Sequence, residues 1–586
     1  MADASRAPIS DRCSPWVARA RAGLKRLGPS RLLVPPLVLV GPLFLAGCAG
    51  CSAPAGQDAG APDEPTDGGG TGEDGGVEPP VDGGVEPPPA ACEAAPGGGS
   101  ATVAEPILQT TLSDQWHEGW LASPAAADLD GDGTTELIAA RHGRVLVWHL
   151  DGSVVWSRDV DGRCWASPVV ADLRADLPGL EVAQASADAI YAWGADGTPL
   201  PGFPHPWRGE LRSLAAGDID GDGALELVSV TTDGLSSGGQ FDILTAVNGD
   251  GSVVAGFPPN TTGASGCDDA CYVYNGYDQN VALGDVDGDG VADVFATQDN
   301  AYNSLHHGDG VAFECAAQFV GKTRFMGVRA LHDTAEAAQG WASDEETALQ
   351  GHHTNTAPAI ADLDGDGSVE LVYLASVQNA AQTQRELGVA LWALHHDGTR
   401  APGWEQPLRF PDYLSGLWDY GTSNIVAITN QVSVAELDPA RPGLEIVFAG
   451  FDGRIHGVDA AQGSLFDTAY TTSDQTGTGG VVIADLSGDG VPELVFASYS
   501  TGEGEGELFV LGANGAVLHR LPLPGRGAMA VPTVDNVDDD PALEILVALK
   551  DSADGQVLVY EVPGSAANCR PWPTGRGSYL RNGSVP

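Results

Sequence analysis

The chain has 586 residues, with 80 Asp and Glu against 28 Lys and Arg, and a formal net charge of −52 at pH 7. Such acidity excludes binding to DNA, RNA or anionic lipid through a basic surface. With 79 Gly and 40 Pro, turns are favoured over long helices, yet 42% of the residues are hydrophobic, too many for a disordered acidic polymer.

The N-terminus reads as a targeting segment. Arg6, Arg12, Arg19, Arg21, Lys25, Arg26 and Arg31 precede the apolar run LLVPPLVLVGPLFLAG, which stops at Cys48. A basic stretch, a short apolar stretch and small residues form a secretory signal. Three prolines and its short length set the run apart from a transmembrane helix. Leu45-Ala46-Gly47-Cys48 resembles a bacterial lipobox. That resemblance implies a signal peptide over 1–47 and a lipidated Cys48 as the mature N-terminus. An ordinary signal peptide or an uncleaved anchor is the alternative. Ala49 stands where an Asp would resemble an inner-membrane retention signal, which favours the outer membrane and leaves the periplasmic or exterior face open. Loss of residues 1–47, with seven Lys/Arg and two Asp/Glu, takes the charge to −57.

Residues 48–100 are a Gly/Pro/Asp/Glu-rich tether with DGGVEPP at 74–80 and 82–88 and no Lys or Arg. Such a segment self-repels and stays extended, spanning roughly 40 Å. It serves as a disordered spacer between anchor and globular domain.

From residue 101 the chain repeats. The clearest units are ADLDGDGTTELIAA (127–140), GDIDGDGALELVSV (217–230), GDVDGDGVADVFAT (284–297), ADLDGDGSVELVYL (361–374) and ADLSGDGVPELVFA (484–497). Three more keep the flanks and lose the centre: ADLRADLPGLEVA (171–183), AELDPARPGLEIVFA (435–449) and VDNVDDDPALEILVA (534–548). Intact units place the last acid eight residues after the first, degenerate units nine. A short apolar run leads into each turn and another leads out. A third run ends at a DG or NG hairpin signal, and a fourth follows. Four short strands per unit, repeated, predict an all-β fold, a β-propeller with four-stranded blades. Eight turns predict eight blades, or seven if one degenerate unit is absorbed elsewhere. The leading run ATVAEPILQTTL (101–112) matches an outer strand and would close the ring by joining the last blade.

The intact turn, D-x-D-x-D-G-x-x-E, points alternating carboxylates at one centre. Its last acid is at position nine between strands, unlike the helix-flanked EF-hand with its acid at position twelve. Hard oxygen donors in this number suit Ca²⁺. The expected ligands are Asp128, Asp130, Asp132 and Glu136; Asp218, Asp220, Asp222 and Glu226; Asp285, Asp287, Asp289 and Asp293; Asp362, Asp364, Asp366 and Glu370; and Asp485, Ser487, Asp489 and Glu493. The carbonyls of Thr134, Ala224, Val291, Ser368 and Val491 would complete about five sites, with the Ser487 site the weakest. The degenerate turns would hold strands together without metal.

These repeats resemble FG-GAP/VCBS repeats, the blades of integrin-α-type propellers and of many secreted bacterial proteins. The resemblance spans about 101–586 and implies a calcium-stabilised propeller. It leaves function open, since such scaffolds serve adhesion, glycan binding and occasionally catalysis.

Beyond calcium, no HExxH or G-x-S-x-G motif occurs, and Gly321-Lys322-Thr323 lacks the first glycine of a P-loop. A transition-metal site would require the pairs His306-His307, His352-His353 and His395-His396 to converge, and His395-His396 reads as a surface hairpin. The segments entering the inner strands carry Trp120, Trp165, Arg212, Tyr277, His353, Trp418 and Tyr420. Aromatic planes beside polar groups suit a sugar or a peptide, although Trp120 and Trp165 recur at equivalent positions and could simply pack between blades. An insertion near 299–355 could cap this face. Cys92 and Cys569 flank the propeller and are expected to bridge its ends. Cys267, Cys271 and Cys315 could form a second staple in an oxidising compartment. The expected function is a non-enzymatic, lipid-anchored envelope module that binds a protein or glycan. The alternatives are a polysaccharide lyase or hydrolase working at the channel mouth, or a purely structural envelope component.

Overall fold

The computed structural model describes residues 92–95, 100, 102–113, 117–232, 244–259, 276, 279–297, 303–311, 313, 349–352, 356–379, 383–414, 430–502, 504–538, 540–551, 556–565 and 569–585. They form an all-β propeller of eight four-stranded blades. The expected positions Cys48, Cys267, Cys271, Cys315, Tyr277, His353, Trp418 and Tyr420 lie outside the described residues.

Blade 1 shows the pattern: Ala125–Ala127, Glu136–Arg141, Arg144–Trp148 and Val154–Asp159 pair antiparallel in chain order. The second strand is buried along its whole length, whereas the outer strand is largely exposed. That gradient follows from position, because inner strands are covered by blades on both sides and the rim faces water. Blades 3 and 4 have three regular strands and a short fourth, held by the bridge Val247↔Val253 in one and by Phe313 N–H donating to Leu305 O in the other. Asn303–His306 is the third strand of blade 4, and Leu349–His352 pairs with Glu370–Asn379 in blade 5. Residues 303–306 and 349–352 of the segment 299–355 therefore belong to blades.

Apolar side chains of neighbouring blades meet in a ring of clusters. Val147 and Trp156 of blade 1, for example, share a cluster with Val182 and Trp193 of blade 2. The GFP turns at 202–204 and 256–258 set the spacing to the next blade. Gly202 and Gly256 have positive φ, and a Cβ on either would lie 2.1 and 1.7 Å from the carbonyl oxygens of Asp250 and Asp309 in the next blade's hairpin. Only glycine permits this approach.

The ring closes as the repeat phase predicts. Ile107–Leu112 pairs antiparallel with Val557–Val562, so the N-terminal strand completes the eighth blade. Cys92 is bonded to Cys569, 477 residues away, with Cα atoms 5.4 Å apart. The adjoining residues lie on the blade 7 turn: Ala95 N–H donates to Gly488 O and Ser100 N–H to Ser487 O.

Residues 570–585 lie outside the repeat pattern, and their role emerges from their contacts. This tail fills the propeller axis, where each blade presents the unpaired edge of its inner strand. Val170, Ala216, Leu283 and Ile360 donate their N–H groups to the carbonyls of Tyr579, Leu580, Asn582 and Gly583. Ile483 and Val534 donate to Trp572 and Pro573. Buried backbone donators of this kind must be paired, and the tail pairs them. Two fully buried arginines extend its reach. Arg581 donates to the carbonyls of Pro168, Gly575 and Pro124 and to Thr574 Oγ1. Arg576 donates to the carbonyls of Pro358 and Val281, and its backbone N–H to Gln431 Oε1. Pro124, Pro168 and Pro358 each precede an inner strand, with no N–H of their own to satisfy and a carbonyl free for the guanidinium. Burial pushes both arginines down to about 9, and they remain cations at neutral pH.

Arg581→Met should therefore destabilise the ring by about 3 kcal/mol or more, because several buried carbonyls lose their donor. Urea unfolding followed by tryptophan fluorescence measures it; a midpoint equal to that of the wild type would contradict an axial role for the tail.

Candidate metal centres

Each intact turn joins the inner strand of a blade to its second strand. In all five turns the first acid accepts at least two backbone bonds. For Asp128, Oδ1 accepts Gly131 N–H at 2.9 Å and Oδ2 accepts Gly133 N–H at 2.8 Å. The same pair of bonds is made to Asp218, Asp285, Asp362 and Asp485. The acid at position five accepts the N–H of position seven, as Asp132 does from Thr134 at 2.7 Å. Asp222, Asp289, Asp366 and Asp489 repeat the bond. Gly131 and Gly133 have φ of 76° and 89°, and the left-handed pair bends the backbone so that the acids face inward.

The acid at position nine opens the second strand. It accepts the N–H of position two: Leu129 to Glu136 at 2.9 Å, Ile219 to Glu226 at 3.0 Å, Val286 to Asp293 at 3.1 Å, Leu363 to Glu370 at 2.9 Å and Leu486 to Glu493 at 2.8 Å. The degenerate turns keep this bond, from Leu173 to Glu181, Leu437 to Glu445 and Val537 to Glu544. The closing acid is thus a structural acceptor in all eight blades, whether or not a cation is also held.

Burial dominates the electrostatics. It pushes Glu226 and Asp293 up to about 8, and Glu370 and Glu493 up to about 7, with the neighbouring aspartates adding to the rise. Two unit charges 4 Å apart at a protein surface cost about 4 kcal/mol. A cation at the centre removes that repulsion. Ligand atoms of Asp128, Asp130 and Glu136, of Asp218, Asp220 and Glu226, and of Asp362, Asp364 and Asp366 gather within 4.8 Å, close enough to share one ion. The donors are hard oxygens in a flexible turn and fit Ca²⁺, which when bound would supply the positive charge the turn lacks. The blade 7 turn differs from the rest. Asp485 and Ser487 are buried, and Ser487 Oγ lies 3.2 Å from Asp485 Oδ1 as a neutral donor where the other turns have an acid.

The degenerate turns carry their own positive charge. In blade 2, Arg174 replaces the acid at position three, and its Nε and Nη2 grip Asp176 at 2.8 and 2.9 Å. In blade 6, Arg441 reaches Asp438 at 3.3 Å and Asp459 at 2.7 Å. In blade 8, Arg570 pairs with Asp535, which also accepts from Tyr579 OH. A guanidinium at each of these turns, supplied in blade 8 by the tail, offsets the acids that a cation could offset elsewhere.

The expected ligand face takes a different form. Trp120 and Trp165 are only 5% and 3% exposed, with ring centroids 4.6 Å apart. Lys550 Nζ lies 3.2 Å from the Trp120 ring centre and the Arg163 guanidinium 4.6 Å from it; Arg212 covers Trp165 at 4.2 Å and pairs with Glu210 at 2.7 Å. These side chains pack between blades, and their aromatic faces are covered by cations of the same chain.

Three histidines share a role that the sequence pairs hide. His149, His307 and His395 occupy one repeat position, just before the DG hairpin, and each faces a closing acid: Glu136 at 3.4 Å, Asp293 at 3.2 Å and Glu370 at 3.4 Å. The expectation that His395 is merely a surface residue is corrected, since its imidazole lies against the buried Glu370. The signal was present in the alignment of WHLDG, HHGDG and LHHDG, but it was obscured by treating adjacent histidines as pairs.

No protein-family profile matches the sequence, and no curated protein matches it. Among solved structures the chain is similar to the biofilm matrix protein Bap1 of V. cholerae, with 14% identity over 82% of this chain and 96% of that one and a TM-score of 0.37. It is similar to a quinohemoprotein alcohol dehydrogenase of Comamonas testosteroni, with 12% identity over 82% and 79% and a TM-score of 0.45. It is also similar to BamB of Moraxella catarrhalis, with 12% identity over 75% and 96% and a TM-score of 0.37. Likeness at this level concerns fold and assigns no activity.

The raised closing acids set a pH dependence. In cation-free protein their folded values exceed the unfolded ones, so their contribution to stability is complete below about pH 4 and is lost as pH rises through 7–8. A cation needs the carboxylate form, so Ca²⁺ binding must displace the proton. Ca²⁺ affinity at the Glu226 and Asp293 turns should fall by up to about tenfold for each pH unit below their values, between pH 8 and pH 6. Calorimetric titration reads it; affinity constant over that range would contradict the assignment.

Proposed function

We propose that this protein is a calcium-loaded propeller, anchored to the cell envelope by lipid at Cys48, that acts as a binding or adhesion module for a protein or glycan rather than as an enzyme. The observation that carries the cation half of this reading is the fivefold repetition of one arrangement. Five turns hold the first, fifth and ninth acids by the same backbone bonds, so their side chains are set before any ion arrives. The lipobox-like LAGC and the acidic spacer support the envelope location, and Ala49 favours the outer membrane. The binding role rests on the architecture: a rigid ring on an extended tether presents two broad faces without needing to move. The FG-GAP/VCBS resemblance of the repeats points the same way.

Ca²⁺ held only by the folded turns must raise stability by mass action, by about 2.7 kcal/mol for each site at a hundredfold excess over its dissociation constant. Excess EGTA should therefore lower the melting temperature by about 10 °C or more, and added Ca²⁺ should restore it. A melting curve indifferent to EGTA would remove the calcium reading.

A further inference from the structure

The groove between blades 6 and 7 holds a cavity away from the acidic turns. Its volume is about 390 Å³, the size of a cleft that takes a small ligand. One wall is the segment 469–476, which leaves the outer strand Ser464–Ala469 of blade 6. The other wall is blade 7. It supplies Ser498, then Glu505 and Glu507 at the start of the strand Gly506–Leu511, and Arg520 from the outer strand Val517–Leu523.

Apart from Ala469 and Tyr470, the lining is polar. The Tyr470 ring is 8% exposed and fixed against Phe496 and Phe509, with centroids 5.6 and 6.4 Å away. Burial pushes its hydroxyl up, so it stays a neutral group. Thr471 Oγ1 accepts Ser473 N–H at 3.0 Å, and Ser473 Oγ accepts Gln475 N–H at 3.1 Å. Each oxygen is held in place by the backbone, while its own O–H has no acceptor among the described residues. Ser498 Oγ accepts Glu507 N–H at 3.0 Å and so anchors the strand that carries the acids. Glu507 is occupied by Arg520, whose Nε donates to Oε1 at 2.6 Å and whose Nη2 donates to Oε2. Glu505 lines the same cavity two residues earlier, and no cation among the described residues pairs with it. One carboxylate of the lining is therefore left without a counter-charge.

We propose that this cavity binds a sugar that carries an amine. Glu505 receives the ammonium group, the hydroxyls of Thr471 and Ser473 donate to sugar oxygens, and Tyr470 supplies the apolar contact. The proposal rests on the reading of the protein as a binding module and gives that module a place and a ligand class. Fixed hydroxyls around one aromatic ring match the mixed polar and apolar surface of a saccharide. A peptide would ask for apolar recesses for its side chains, and the lining offers only Ala469 and Tyr470. The uncompensated carboxylate repels uronates and sulfated sugars, so it selects by charge.

The test uses the full mature chain in excess Ca²⁺, titrated calorimetrically with a glucosamine tetramer, with cellotetraose and with a galacturonate tetramer. The wild type should bind the glucosamine tetramer about fivefold more tightly than cellotetraose and leave the galacturonate tetramer unbound. Glu505→Gln should remove that preference and keep the affinity for cellotetraose. Ser473→Ala should weaken both by about fivefold. Both positions are exposed, and a melting temperature equal to that of the wild type shows that each variant folds. A preference that survives Glu505→Gln would overturn the site and leave the binding-module reading standing, as would binding of the galacturonate tetramer alone. No binding of any of the three would overturn the sugar assignment. A lysine tetrapeptide held more tightly than the glucosamine tetramer, with the same dependence on Glu505, would overturn it in favour of a peptide.

Discussion

The structure depends on one electrostatic constraint: every blade bends through a turn crowded with acids, and that turn needs a positive charge. The bend joins the inner strand to the second strand, so it sets the register of the blade. The closing acid is committed to a backbone N–H in all eight turns, from Leu129→Glu136 to Val537→Glu544, and it is buried in the process. Burial and neighbouring carboxylates both disfavour its charge. Five turns gather carboxylates close enough to share a cation. Three supply positive charge from the chain through Arg174, Arg441 and Arg570. One acidic template thus appears in two forms, with and without a guanidinium beside it, and both keep the bond from the second residue to the closing acid.

The same economy operates along the axis. Inner strands expose unpaired edges there, and an eight-bladed ring leaves room for a peptide between them. Residues 570–585 occupy that room and bond to inner strands around the ring, with Arg576 and Arg581 reaching carbonyls the backbone cannot. The N-terminal strand closes the last blade, and Cys92–Cys569 ties the start of the ring to the start of the tail. Both termini of the propeller are consumed in closing it, and the axis is packed rather than open.

Much of this was legible in the sequence because repetition amplifies weak signals. Each DxDxDG turn is short, but five at one phase fix the blade boundaries, and ATVAEPILQTTL in the phase of an outer strand foretells closure. The tail was not legible, since its bonds are made by backbone atoms to residues up to several hundred positions away, and Arg576 and Arg581 carry no periodic mark. That Trp120 and Trp165 pack between blades was legible from their equivalent repeat positions, but not which side chains cover them. What covers them, Lys550 and Arg212, comes from blades 8 and 3. His307 was read with its neighbour His306, though along a strand the two point to opposite faces and only one can meet Asp293. The arginines of the degenerate turns were visible as departures from the repeat, and their partners emerge only in three dimensions.

Hydrogen–deuterium exchange with and without a chelator tests the account most directly, because it reads each turn separately. The account predicts faster exchange on chelation in the five turns 128–136, 218–226, 285–293, 362–370 and 485–493, at the amides that bond to the first and closing acids. It predicts little change in 172–181, 436–445 and 535–544, where an arginine holds the charge. Uniform deprotection of all eight turns, or no change in any, would contradict it.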